Sequence, residues 1–304
     1  MPLAGRGGVN NVNNTLKVEQ VLNGVSTPAP MGLGMEMRTR AGLYPEILKS
    51  ARSIYNQTDN ITTTERSFGM PDNSSQDIYT RLTGTTGSGL QISSSSLADN
   101  GTSATGALTI YIEGLYISGN DWIERSTYST PTTLNGRTAV QIGSDVDWYR
   151  INKIWVLTTG SGNKNAGDLY ISPLGQSLSL GVPTGNILQA MIAGYGNSTG
   201  GFFSVASNQR FEYCKGNFWM DPTKAIRIHE TFFQDFGGSA NTADMSEYEV
   251  GLYPSETVSF DYTAAAPYTE KTDISLTIRT TNGTADAAVL YVEYLLSNAT
   301  KVNN

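Results

Sequence analysis

The chain has one cysteine, Cys214, and one histidine, His229. No disulfide can close within it, so a cystine-stapled scaffold is excluded. A Cys/His metal centre needs three or four such ligands, and this sequence has two to draw on. General acid–base catalysis most often uses histidine, and His229 is the single one on offer. Charge is scarce as well: 15% of residues are Asp, Glu, Lys or Arg, with a balance of −7. The cations are scattered rather than massed in a basic patch, which argues against a nucleic-acid partner. No stretch approaches the ~20 apolar residues of a membrane helix, so no membrane partner is expected. The opening MPLAGRGGVNNVNN holds no apolar core segment. A secretory leader is therefore not expected, and assembly in a cytosol is. GxSxG, HExxH, a phosphate-cradling glycine loop and GxGxxG at a strand–helix junction are all missing.

What the chain has in quantity is glycine, 32 residues of it, among many Ser, Thr and Asn. At 304 residues it is long enough for a sizeable core. That mix suits short strands joined by turns and suits long helices badly. Leu108, Ile110 and Ile112 alternate with Thr109, Tyr111 and Glu113, the two-residue period of a half-buried strand. Asp121–Ser126 and Trp148–Thr159 read as further strands, with Asn135-Gly136 as a tight turn between them. Later strand windows are Asp168–Ser172, Ile187–Tyr195, Gly201–Ala206, Arg210–Met220, Ala225–Phe233, Tyr248–Leu252, Val258–Tyr262, Asp273–Thr280 and Ala287–Leu296. The last, AAVLYVEYLL, is apolar on both faces except at Glu293, which predicts an interior place in a sheet. The fold class expected is all-β: a jelly-roll-like β-sandwich, one large or two consecutive. Residues 1–80 read as an extended arm and linker, 81–185 as a first sandwich portion and 186–304 as a second. The best helix window is GLYPEILKSARSIYNQ, where Pro45 suits a first turn and Ile47, Leu48, Ala51 and Ile54 share a face. The word GLYP recurs at 251–254 with unrelated flanks, so both copies read as turns.

Candidate reactive groups are few. His229 falls beside Arg227 on a strand face opposite Ile226 and Ile228, a position for a solvent or interface histidine. Cys214 sits among aromatics in FEYCKGNFWM and reads as a small core residue. Glu212, Glu230, Asp235 and Glu293 are the acids a glycoside-cleaving pair would draw on, and nothing selects two of them. Asp145 with Asp147, or Asp244 with Glu247 and Glu249, could offer oxygens to calcium, without matching a known loop pattern. Trp122, Trp148, Trp155 and Trp219 all fall in strand windows, where core packing is the usual role. No cofactor is expected, and the chain reads as a non-enzyme.

One segment carries a resemblance. ALTIYIEGLYISGNDWIERSTYSTPTTLNGRTAVQIGSDVDWYRINKIWVLTTGSGNKNAGDLYIS (107–172) has a strand ending in EGL and a later LNG followed by Thr and Val. It also has an aromatic-Arg-Ile-Asn element at Tyr149-Arg150-Ile151-Asn152, and a Gly/Asn loop leading into Gly-Asp and a strand. In these features it resembles virion structural proteins of marine tailed phages and aquatic large DNA viruses. The later TEKTDISLTI and ADAAVLYVEYLL fit the same style. The resemblance implies a β-sandwich in a capsid, decoration or appendage role, located in the virion and assembled in the host cytoplasm. The partners would be copies of itself and other coat proteins. Arg6, Arg38 and Arg40 are the expected assembly anchors on the arm. The alternative is a glycan- or receptor-binding module of a fibre or appendage. It would contact host surface glycans through Asn163, Asn165 and Asp168, and through Asp235 and Asp244, on strand-connecting loops.

Overall fold

The computed structural model describes residues 9–12, 15–22, 25–28, 48–82, 86–102, 105–198, 201–220, 225–235, 242–252, 257–261 and 268–298. The elements run β1 (Val9–Val12), β2 (Thr15–Leu22), β3 (Val25–Pro28), β4 (Leu48–Ile61), β5 (Arg66–Ser67), β6 (Leu90–Ser94), β7 (Ala107–Ser118) and β8 (Asp121–Ser126). They continue with β9 (Thr132–Thr133), β10 (Val140–Gln141), β11 (Trp148–Thr159), β12 (Leu169–Pro173), β13 (Leu178–Ser179), β14 (Val182–Pro183), β15 (Gln189–Met191) and β16 (Asn197–Ser198). The last are β17 (Phe202–Ser204), β18 (Gln209–Met220), β19 (Ile226–Asp235), β20 (Thr242–Leu252), β21 (Thr257–Asp261), β22 (Thr272–Thr280) and β23 (Ala285–Asn298). Every pairing is antiparallel, and no helix occurs among the described residues. The chain is an all-β sandwich protein.

Two sheets build the first sandwich, in the orders β10-β6-β12-β15 and β16-β11-β7-β8. Their inner faces supply one core: Leu90 and Ile92 of β6 and Leu169 and Ile171 of β12 meet Ile110 and Ile112 of β7 and Ile151, Ile154 and Val156 of β11. Alternation makes this possible, since residues two apart point to one face and bury together while their neighbours face away. The predicted turn at Asn135-Gly136 is present. Gly136 takes φ +59, its N–H donates to Asp99 O at 2.7 Å, and Thr138 N–H donates to Asn135 O at 3.1 Å.

The second pair of sheets has the orders β17-β22-β19-β20 and β21-β18-β23-β4. They meet where Phe203 of β17 packs on Phe211 of β18, ring centroids 5.1 Å apart. Strand β23 has β18 on one side and β4 on the other, the interior place its two apolar faces require. The partner β4 corrects the expected helix: residues 48–57 of that window lie in a 14-residue strand, while 42–47 fall outside the described residues. Its register runs from Ile61↔Ala285 to Leu48↔Ser297. Helix propensity differs by only tenths of a kcal/mol per residue. A full ladder of backbone hydrogen bonds along β23 outweighs it, and Ile54, Tyr55, Thr58 and Ile61 suit a strand. Pairing β4 with β23 also encloses the first sandwich in sequence between two parts of the second.

Beyond β4, the last part of the segment 1–80 that reads as arm and linker is a packed strap. Phe68 and Met70 are fully buried, and Met70 and Tyr79 cluster with Tyr170, Ile187, Ala190 and Phe202. In the segment read as an arm, β1, β2 and β3 form a three-stranded meander.

The two sandwiches are joined by a buried ion pair. Arg150 of β11 and Asp273 of β22 have side chains 2% and 0% exposed. Arg150 Nε donates to both carboxylate oxygens at 2.9 and 3.0 Å, and Nη2 donates to Oδ2 at 2.7 Å. Nη1 donates to the carbonyls of Leu82 and Tyr149, each at 2.9 Å. The Ser204 hydroxyl donates to Asp273 Oδ1 at 2.6 Å. Tyr149 and Trp122 lie against the guanidinium, 4.0 and 5.0 Å from its carbon. Removing one partner of such a pair strands the other charge, at a cost of about 3–5 kcal/mol, whereas an apolar pair of similar volume can be neutral. Asp273→Asn should therefore lower the urea midpoint sharply, and Arg150→Met combined with Asp273→Leu should restore only part of it, since Arg81, whose Nε lies 3.8 Å from Asp273 Oδ2, loses its partner too. A single variant as stable as the parent would show that the clamp does not hold the two bodies together.

Candidate functional site

The outer face of β7 and β11 carries side chains of a kind that buried positions usually claim. Ile151, Ile154 and Val156 point into the core. Lys153, Trp155 and Leu157 are displayed on the other side, with Trp155 39% exposed. The register sets Trp155 opposite Tyr111, the rings inclined by 21° with centroids 6.2 Å apart. Tyr128, 63% exposed, meets Tyr111 edge-on at 5.2 Å. Lys153 Nζ lies 4.3 Å from the Trp155 ring centre and 5.8 Å from that of Tyr111, within cation–π range. This face departs from the expectation that tryptophans in strands pack inward. Trp122 and Trp148 do so, being fully buried, whereas Trp155 does not. The side chain of Trp219 lies outside the described ones.

The predicted contact residues divide. Asn163 is exposed, at φ +57 in the left-handed region. Asn165 is buried, which corrects its expected role as a surface contact. Its Nδ2 donates to Gly167 O and Ile192 O at 2.9 Å, and its Oδ1 accepts from Gly196 N–H at 3.0 Å. The amide holds its own loop together and has little left for a ligand. Asp168 is half-buried and accepts from Ala193 N–H at 2.8 Å. Burial pushes its carboxyl above the usual range, against the opposing hydrogen bonds from Ala193 and Asn73. Asp235 and Asp244, expected on a loop, lie in β19 and β20. There they pair with Thr242 and Phe233, because the two strands extend further than their apolar runs suggested. Arg6, Arg38 and Arg40 fall outside the described residues.

The loop at 160–167 is organised by an acid that sequence reasoning missed. Buried Asp99 accepts from the Ser94 hydroxyl at 2.6 Å and from the N–H groups of Ala107, Ala166 and Gly167 at 2.7, 2.8 and 2.8 Å. Four donors compensate its lost hydration. An Asp inside a Gly/Ser/Asn-rich stretch reads as solvated, so no local signal marks it.

His229 Nδ1 lies 2.9 Å from Glu65 Oε1, and the Thr277 hydroxyl donates to the same oxygen. Burial pushes the Glu65 carboxyl up, but the contacts with Thr277 and His229 outweigh it and leave the group below the usual carboxylate value. The hydroxyl points at the acid rather than at the imidazole, so this is not the geometry of an activated nucleophile. The acids weighed for glycoside cleavage are spread over β18, β19 and β23, and the register sets no two of Glu212, Glu230, Asp235 and Glu293 opposite one another. Asp145 and Asp147 neutralise Arg125, whose Nη1 lies 3.4 Å from Asp145 Oδ2 and 2.5 Å from Asp147 Oδ1. Among the described residues no group of three or more His, Cys, Asp or Glu is placed to hold a metal ion. No helix among them is long and apolar enough to cross a membrane.

No protein-family model matches the chain, and no curated protein does. Among solved structures it is similar to the infectious bursal disease virus Gx strain, with 10% identity over 83% of this chain and 77% of that one, at a TM-score of 0.18. It is also similar to T=1 particles derived from infectious bursal virus, with 11% identity over 86% and 75%, at a TM-score of 0.15. Backbones that superpose at this level do not follow a common path.

The two tryptophan environments predict opposite responses. Trp148→Ala should cost about 3–5 kcal/mol, as large aromatic truncations in cores do. Trp155→Ala should stay within about 1 kcal/mol, as surface changes do. Chemical denaturation of both variants checks the difference.

Proposed function

We propose that this chain is a structural subunit of a virion, a capsid or capsid-associated subunit of the minor or decoration kind. It acts by assembling with copies of itself and with coat neighbours. The observation that carries the reading is the way two sandwiches are locked into one body by the desolvated Arg150–Asp273 pair and its satellites. A lattice subunit receives forces from several neighbours at once, and a stiff joint between its halves keeps those contacts in register. The joint is reinforced by backbone and amide bonds: Asn152 Nδ2 donates to Ser204 O, Ser204 N–H donates to Asn152 Oδ1, and Trp122 N–H donates to the Ser207 hydroxyl, all at 2.9 Å. Arg150 and Asn152 belong to the aromatic-Arg-Ile-Asn element through which the sequence resembles virion structural proteins, and this supports the assignment.

In this reading the N-terminal segment, with Arg6, Arg38 and Arg40, anchors the subunit to acidic surfaces of its neighbours. The contact free energy offsets the entropy of ordering the segment. Repetition around a symmetric assembly multiplies each contact. The protein is then found in the virion, after assembly in the host cytoplasm.

The test is incorporation. A chain lacking residues 1–40 should fold, with an unchanged β-rich circular dichroism spectrum, and should be depleted from purified particles relative to the full chain by quantitative mass spectrometry. Equal incorporation of the truncated chain would remove the anchoring role. Absence of the full chain from particles would remove the coat reading itself.

A further inference from the structure

The hairpin of β13 and β14 stands over a groove in the first sandwich. It turns through Leu180 at φ +51 and Gly181 at φ +86. It is tied to β6 by the Ser93 hydroxyl, which donates to Gly181 O at 2.8 Å. A Cβ at Gly181 would strike the Ser94 carbonyl, so glycine lets the hairpin sit this close. On its far side the strap reaches over, with the Ser75 hydroxyl donating to Pro183 O at 2.5 Å. Between them lies a groove of about 470 Å³, within the range of small-ligand sites.

Its lining has a definite character. Leu180, Val182 and Pro183 provide an apolar wall, Ser179 and Thr184 provide hydroxyls, and Arg137 is the one charged residue among those that line it. Arg137 Nε donates to Ser95 O at 2.9 Å, which holds the guanidinium in place while its terminal nitrogens make no ion pair with a described residue. The nearby acids are occupied. Asp72 pairs with Arg66 Nη1 at 2.6 Å, and Asp168 receives Ala193 N–H.

We propose that this groove binds an acidic saccharide unit, with the carboxylate on Arg137, the apolar ring face against Leu180 and Pro183, and ring hydroxyls on Ser179 and Thr184. A planar guanidinium matches a carboxylate two-pronged. A single cation in a chain of charge −7 suits one carboxylate better than a polyphosphate. The mixture of one apolar wall and several hydroxyls fits a pyranose, whose ring carbons and hydroxyls present the same two surfaces. This inference does not rest on the virion reading, and a subunit of any assembly could carry it.

The probes are sodium glucuronate, its methyl ester and glucose, titrated into the full chain and read by saturation-transfer NMR. Glucuronate should bind, and the ester and glucose should bind about tenfold more weakly, since each loses a charge-assisted pair. Arg137→Gln should bring glucuronate down to the level of the ester. Leu180→Glu, at a rim position 71% exposed, removes part of the apolar wall for both sugars and adds a like charge against the carboxylate, so it should weaken glucuronate more than glucose. Thermal unfolding confirms that both variants are folded. Equal binding of glucuronate and its ester, glucuronate binding unaffected by both folded variants, or no saturation transfer to glucuronate would each overturn the proposal.

Discussion

An arginine and an aspartate removed from water, one from each sandwich, set the terms for the rest of this molecule. Burying either charge alone is prohibitive, so Arg150 and Asp273 have to be brought together with nearly every hydrogen-bonding position filled. Much of the local irregularity follows. Strand β11 breaks register against β7 between Trp148 and Arg150 and again between Ile151 and Lys153. Those irregularities deliver the Arg150 side chain to the joint while Trp148 and Ile151 stay in the core. The displaced backbone crowds β7, where Gly114 sits so close that a Cβ would meet the Arg150 carbonyl. Glycine in EGL is therefore a consequence of the clamp on the directly paired strand, through backbone proximity rather than turn geometry. The cluster of Leu115, Trp122, Tyr149 and Ala206 then keeps water from the pair.

The same constraint explains what was legible in the sequence. The strand windows Asp121–Ser126 and Trp148–Thr159 coincide with β8 and β11 to the residue, and the run apolar on both faces put β23 in its interior place, because burying one or both faces of a sheet writes itself into local order. Contacts between distant strands leave no such trace. Nothing near Asp273 names Arg150 as its partner, 123 positions away. The helix window at 42–57 failed for the same reason: its apolar spacing suited a helix locally, and only β23, more than two hundred residues later, reveals the strand. The candidate surface suffered in both directions. Asn165 looked like a loop contact and is an internal brace, whereas Trp155 looked like core and faces outward. Side-chain type sets a prior on burial, and tertiary placement overrules it.

Enclosure of one sandwich within the sequence of the other has physical consequences. The β4–β23 ladder cannot form until the last strand is available, so the second sandwich is closed by its most distant partners. Contacts of such separation carry a loop-closure cost and slow folding. The first sandwich, with β6 to β16 contiguous and its own core, is not subject to that wait. It can present Arg150 as a preformed surface on which β17 and β22 settle. The ion pair then acts as a register mark between the two bodies, a role for which buried polar groups are suited even where an apolar pair would match their stability.

That division also separates closure from display. The enclosing sheets use their strands to bring early and late parts of the chain together. The enclosed sandwich holds the outward Trp155 and Tyr128 on one side, and on another the hairpin groove, where Arg137 is fixed by Ser95 rather than by an acid. A guanidinium tied through Nε alone retains the fork that binds carboxylates, while Arg125, Arg66 and Arg150 have theirs occupied by Asp147, Asp72 and Asp273. Positioning by a carbonyl orients the cation without neutralising it. In an acidic chain that is the arrangement under which one arginine can still discriminate a charged ligand from a neutral one.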